Sequence, residues 1–308
     1  MDQSMKKNLI IVRSKKRYFW SHMVLAPNIE IKELYRKEFH NPLIEKHRKK
    51  RIENNYDYWG ILGDWSKRLN EYKKIIFLDS AYSSQVERTL KEYDGDIIIC
   101  YWNKLDQADA RMLDFFPKKY KLYSYNPYDC DRYGLNYNSI TYIPLSYGEN
   151  NVIKYDLGFG GALIEGRDRD LDIWFGKFKE MGFTVWSDIV ATKKWSKKYL
   201  PKNYKVKAKA LSYDEYINGL RECKAVFHLD KYEEMGLALR AVEALFLNKK
   251  LITDSKDIVH EKFYCPENIF VIGIDKIDDL PEFMAKDMVA YSEEAKSEFD
   301  IVRWAERF

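Results

Sequence analysis

Short apolar runs rich in β-branched residues recur along nearly the whole chain, with segments of helical periodicity between them. That alternation constrains the fold more than any other feature. Strands separated by helices pair in parallel, because each crossover helix returns the chain to the same end of the sheet. In the first half the strand-like runs are NLIIV (Asn8 to Val12), KIIFLD (Lys74 to Asp79), DIIICYW (Asp96 to Trp102) and KLYSY (Lys121 to Tyr125). Helical patterns fall at Tyr56 to Glu71, Ser84 to Glu92 and Gln107 to Phe116.

A turn-rich stretch, SYGENN at Ser146 to Asn151, reads as a linker, and a second series follows it. Its strands are predicted at YDLGFGG (Tyr155 to Gly161), FTVW (Phe183 to Trp186), AVFHL (Ala225 to Leu229), KLIT (Lys250 to Thr253) and IFVIG (Ile269 to Gly273). Helices are predicted at Leu171 to Met181, Tyr213 to Arg221 and Gly236 to Leu247. The expectation is two Rossmann-like α/β domains in series, residues 1–148 and 149–288, with 289–308 as a terminal helix that either packs across the domain junction or simply caps a domain. A chain of 308 residues suffices for two such cores.

Charge and cysteine usage exclude several classes. The 52 Lys and Arg are nearly balanced by 48 carboxylates, for a net charge of +4, which argues against nucleic acid as a partner. Basic residues do cluster locally, in RSKKRYFW and in EKHRKKR at Glu45 to Arg51. A solvated face is the plain reading of these clusters; peripheral contact with an anionic membrane surface is the sharper one. Cys100, Cys130, Cys223 and Cys265 form no metal-ligand spacing and fit a reducing compartment. The N-terminal apolar run is far too short for a signal segment, so the expected location is the cytoplasm, at the inner face of the membrane if the basic clusters engage lipid. Phosphate-loop, GxGxxG, GxSxG and HExxH motifs are absent.

One stretch carries chemistry: EEMGLALRAVEALFLNKKLIT, Glu233 to Thr253, where Arg240 and Glu243 interrupt a buried-looking helix. In a helix beginning near Gly236, positions 236, 240, 243 and 247 share a face. An ion pair at that spacing contributes only ~0.3–0.5 kcal/mol at a surface. The functional alternative is an anionic ligand. Gly236 lets it approach the backbone, free N–H groups of the first turn suit its diphosphate, Arg240 contacts phosphate or sugar, and Glu243 accepts from two ribose hydroxyls. Asp230, just beyond a strand, is placed to reach the same ligand. His228, within that strand, reads as a core histidine.

The segment GLALRAVEALFLNKKLITDSKDIVHEKFYCPENIFVIG resembles the donor-binding half of bacterial GT-B glycosyltransferases of the lipopolysaccharide and capsule biosynthesis type, over about Leu211 to Gly273. Two further stretches are similar to that family in the right order: YSYNPYDCDRYGLNYN (Tyr123 to Asn138), and DLGFGGALIEGRDRDL (Asp156 to Leu171), which supplies Gly161 and Arg167. Ala238 departs from the pattern, where a hydroxyl residue is common.

The resemblance implies the GT-B fold, α/β with two parallel sheets facing across a cleft, the first domain binding the acceptor and the second a nucleotide sugar. It implies a donor site of Gly161, Arg167, Asp230, Gly236, Leu237, Arg240 and Glu243, no cofactor beyond the nucleotide-sugar substrate, and a glycan or lipid-linked glycan acceptor. Asp79 is the candidate general base, with His22 and His40 as alternatives and helix N-capping as its ordinary role. The Asp-x-Asp triplets at Asp94 to Asp96, Asp129 to Asp131 and Asp168 to Asp170 would suit a metal-dependent transferase; transfer without a metal is expected instead. A non-catalytic GT-B-like subunit that binds nucleotide or glycan is the alternative from another class.

Overall fold

A computed structural model describes residues 6–12, 19–20, 26–36, 61–78, 84–144, 152–163, 166–191, 199–230 and 235–308. The chain divides into two compact units, 1–143 with 299–308, and 144–298. The expected boundary at 148/149 therefore lies a few residues further towards the N-terminus. Residues 289–298 belong with the second unit and only the last ten return to the first.

The first sheet comprises β1 (Lys7–Val12), β2 (Ile29–Glu33), β3 (Tyr72–Leu78), β4 (Asp96–Tyr101), β5 (Lys121–Ser124) and β6 (Asn136–Tyr137), in the order β2-β1-β3-β4-β5-β6. Every pairing in it is parallel. In β3 only Lys73 is exposed and in β4 only Asp96, because a parallel sheet is covered on both faces. Leu9, Ile75, Phe77, Ile97 and Ile99 pack with Trp65 on one side. Ile10, Ile76 and Ile98 are fully buried in alternation with them.

The second sheet comprises β7 (Tyr155–Leu163), β8 (Val185–Ala191), β9 (Val206–Lys207), β10 (Cys223–His228), β11 (Lys250–Thr253) and β12 (Ile269–Val271), in the order β12-β11-β10-β7-β8-β9. It too is wholly parallel. The chain winds outward from β7 to β9, then resumes on the opposite side of β7 at β10. That reversal makes the junction of β7 and β10 the topological switch point, where open α/β sheets bind ligands at the carboxyl ends of their strands.

Three expectations are corrected. The described part of Tyr56 to Glu71 is not an α-helix but two 3-10 turns, Asp64–Lys67 and Leu69–Glu71, preceded by extended backbone at Gly63. The indole of Trp65 is held by the Leu34 carbonyl at 3.2 Å, which favours the turn over a continuous helix. The single terminal helix is two, Glu293–Ser297 and Ile301–Glu306. Asp300 separates them by accepting from the N–H groups of Val302 and Arg303, each at 3.0 Å. Third, the helix expected from Gly236 spans Leu239–Phe246. The sequence-predicted linker and both basic clusters lie outside the described residues, except for Phe19 and Trp20.

Among the described residues no helix is long and apolar enough to cross a membrane.

Candidate functional site

The site is built at the carboxyl ends of β7, β10 and β11. β7 ends in small residues for a steric reason. A Cβ on Gly160 would come within 2.3 Å of the Tyr216 ring, and one on Gly161 within 2.5 Å of Arg240 Nη2. Two large side chains thus lie where a strand would ordinarily present its own.

Arg167 begins the helix Arg167–Glu180, and Arg240 is the second residue of Leu239–Phe246. Both guanidinium groups approach the buried ring of Phe159, at 5.2 and 5.1 Å from its centroid. Nε and Nη2 of Arg167 and Nε of Arg240 are buried without a hydrogen-bond partner among the described residues. Such donors are costly to leave unmade, by about 1–3 kcal/mol each. Burial, with the neighbouring charge of Arg240, pulls the Arg167 guanidinium down to about 9, against the opposing pull of Asp254 and Asp230.

Arg240 also reaches the end of β10, where its Nη1 lies 2.9 Å from His228 Nδ1. The other ring nitrogen of His228 lies 2.8 Å from Asp230 Oδ1. Asp230 in turn donates its backbone N–H to Asp254 Oδ1 at 2.7 Å, joining the ends of β10 and β11. Burial works to raise the Asp230 carboxyl, but the His228 contact and the positive surroundings leave it below its ordinary value. Burial raises Asp254 to about 6.

Glu243 stands in a different place from the one expected. It is 2% exposed, and its two oxygens accept from Tyr213 at 2.9 Å and Tyr216 at 2.8 Å. It is not paired with Arg240 in a salt bridge. The acceptors assigned to two ribose hydroxyls are engaged by two phenols, so Glu243 backs the site from the interior. Burial lifts it to about 7, although the tyrosine hydrogen bonds and Arg240 pull it down.

Gly236 and Leu237 precede the helix, and Gly236 takes φ 63°, a left-handed conformation incompatible with a right-handed helical turn. The first turn offering N–H groups accordingly begins at Leu239. Asp79 follows the last residue of β3 but lies outside the described residues, as do His22 and His40. In the DCD triplet Asp129 is buried and accepts from the Leu105 N–H at 2.9 Å, whereas Asp131 is exposed.

The structure therefore brings together Gly161, Arg167, Asp230, Arg240 and, behind them, Glu243. Residues that sequence reasoning passed over are His228 as a ligand of Arg240, Asp254 directly after KLIT, and the Tyr213 and Tyr216 pair. The last carried a signal: an i, i+3 spacing in a helix opened by the Ser212–Glu215 capping box.

No protein-family model matches the chain, and no curated protein does. Solved structures do. Anabaena HepE in complex with UDP and glucose superposes with a TM-score of 0.55 at 10% identity, over 98% of each chain. Its complex with UDP-glucose gives 0.54 at 11% identity, over 98% of this chain and 97% of that one. T4 phage BGT in complex with its UDP-glucose substrate gives 0.51 at 11%, over 99% and 98%. The chain has the GT-B fold. Two wholly parallel six-stranded sheets in separate units are the architecture a GT-B chain requires, and the arginine cluster occupies the switch point of the second GT-B sheet.

Proposed function

We propose that this chain is a glycosyltransferase whose second unit binds a nucleotide-diphosphate sugar and whose first unit binds a hydroxyl acceptor. One observation carries the reading: Arg167 and Arg240 converge on one aromatic ring at the carboxyl ends of β7 and β10, with three buried nitrogens that lack acceptors among the described residues. Phosphate oxygens are the acceptors such a fork fits best. Uridine diphosphate is the first nucleotide to test, since the HepE and T4 BGT structures of the same fold hold UDP-glucose.

In the reaction the bond from the sugar anomeric carbon to the diphosphate oxygen breaks, and a bond from the acceptor oxygen to that carbon forms. The acceptor's proton passes to a base, for which Asp79 is our candidate. Charge developing on the diphosphate is taken by Arg167 and Arg240, in the role a divalent cation plays elsewhere, so transfer proceeds without a metal. The turn at Gly236 and Leu237 brings the chain into the Leu239–Phe246 helix, whose first N–H groups add to the anion site. The acceptor is a surface glycan or its lipid-linked precursor, met at the cytoplasmic face of a membrane.

The test is calorimetric titration with UDP and with uridine, followed by turnover of labelled UDP-glucose with and without chelator. UDP is expected to bind at least about 30-fold more tightly than uridine, and Arg167→Ala with Arg240→Ala to erase that difference. Turnover is expected to survive chelation. Saturable UDP binding with no hydrolysis or transfer would instead mark a non-catalytic subunit, and loss of turnover in chelator a metal-dependent one.

A further inference from the structure

We propose that His228 is a positioning residue of the anion site, a neutral imidazole that holds the Arg240 guanidinium in place without discharging it. The inference rests on the reading of Arg240 as a diphosphate ligand and adds the means by which that arginine is kept available.

The chemistry of the two contacts dictates the tautomer. A guanidinium can only donate, so His228 Nδ1, 2.9 Å from Arg240 Nη1, must present a lone pair. The proton then resides on Nε2, which donates to Asp230 Oδ1 at 2.8 Å. Protonating the ring would turn Nδ1 into a donor aimed at a cation and break the contact. The groups that face the ring are Asp230 at one nitrogen, Arg240 at the other, and Arg167 beyond. Burial holds the imidazole down to about 4, against the raising effect of the Asp230 hydrogen bond.

Neutrality is the point of the arrangement. A carboxylate in this place would fix Arg240 just as firmly but would neutralise it, leaving less attraction for a diphosphate. Asp230, one hydrogen bond further out, orients the imidazole while standing back from the guanidinium. Phe159 supplies the other wall of the cradle, and Gly161 leaves the room in which Nη2 lies.

The experiment has two arms on the full chain. In the first, histidine labelled with nitrogen-15 is followed by NMR. The His228 ring is expected to show the Nε2–H tautomer at pH 7 and no titration between pH 5.5 and 8. In the second, UDP and inorganic pyrophosphate are titrated into His228→Asn, His228→Leu and His228→Asp. Asn keeps a neutral acceptor towards Arg240 and is expected to bind UDP within about 5-fold of the unmodified protein. Leu is expected to lose about 30-fold, and Asp more than Leu. Melting temperatures that do not follow this order separate the effect from mere loss of packing.

A ring carrying its proton on Nδ1, or titrating near the ordinary histidine value, overturns the inference even if every variant unfolds. So does an Asp variant that is folded and binds UDP as well as the Asn variant. If the unmodified protein binds neither UDP nor pyrophosphate, the anion site and this inference fall together, whatever the NMR signature; if it binds pyrophosphate but not UDP, the nucleotide-sugar reading alone falls.

Discussion

Glu243 shows at the scale of one residue how a position can stand out in the sequence while its partners stay hidden. Its place on a greasy helix marks it as special in the sequence, but its partners, Tyr213 and Tyr216, lie on another helix, and no periodicity reveals them. Because its folded value is raised from 4.5 to about 7, the native state keeps a proton that the unfolded chain has already given up. Stability therefore falls as pH rises across that window and levels off above it. Asp254 acts with the same sign up to about 6, and His228 with the opposite sign, its contribution growing as pH climbs from about 4 to 6.5. Comparison with Glu243→Gln isolates the first term. The variant's melting temperature is expected to gain relative to the unmodified protein as pH rises from 4.5 to 7, a relative change on the order of 3 kcal/mol. Parallel melting curves across that range would remove the buried carboxylate from the account. At Gly161, replacement by Ala places a methyl group against Arg240 Nη2, an atom at the end of a flexible side chain. The protein is expected to fold, with UDP affinity reduced about 10-fold as the guanidinium is displaced, and calorimetry reads it directly.

At the scale of elements, the strands were more legible than the helices. KLIT is a strand over the residues expected, and seven of the other eight predicted strands match to within about two residues, because doubly covered parallel strands must be apolar on both sides; FTVW shares only Val185 and Trp186 with β8. The short strands β2, β6 and β9 escaped notice: β2 alternates buried Ile29 and Ile31 with charged residues, and the other two contain only two residues each. Helix ends depended on tertiary partners. Lys74, Lys249 and Lys250, all largely buried, each donate to a carbonyl near the C-terminal end of a helix: Ala305, Arg221 and Phe283 respectively. A sequence shows such a lysine only as a charge next to a strand. The helix Ile301–Glu306 carries the fully buried Trp304, whose indole donates to the Ser139 carbonyl at 2.6 Å and meets the Trp102 ring at 6.2 Å. Trp304→Ala is expected to cost about 3–5 kcal/mol, read as an earlier urea transition by circular dichroism. A loss below 1 kcal/mol would mean that the helix is only lightly attached.

At the scale of the molecule, the first unit is discontinuous in sequence, since Phe299–Phe308 completes it. Beyond Trp304, Thr141 and Tyr142 both donate to the Phe299 carbonyl, at 2.9 and 2.8 Å, and Arg307 is tied to Asn138 and Ser139. A chain ending at Glu298 is expected to lose hydrogen-exchange protection in β1, β3 and β4 while β7, β10 and β11 keep theirs and UDP binding persists. Equal loss in both units would show that the division is not energetic. The amino-acid sequence by itself determined the fold class, the count of sheets and the location of the candidate site, because strand burial and helix crossovers are local patterns written in residue order. Only tertiary structure decided which unit owns the last ten residues, that Glu243 backs the site and does not line it, and that His228 holds Arg240. Those outcomes depend on side chains meeting across dozens of residues, where packing and hydrogen-bond geometry choose among partners that spacing leaves equivalent.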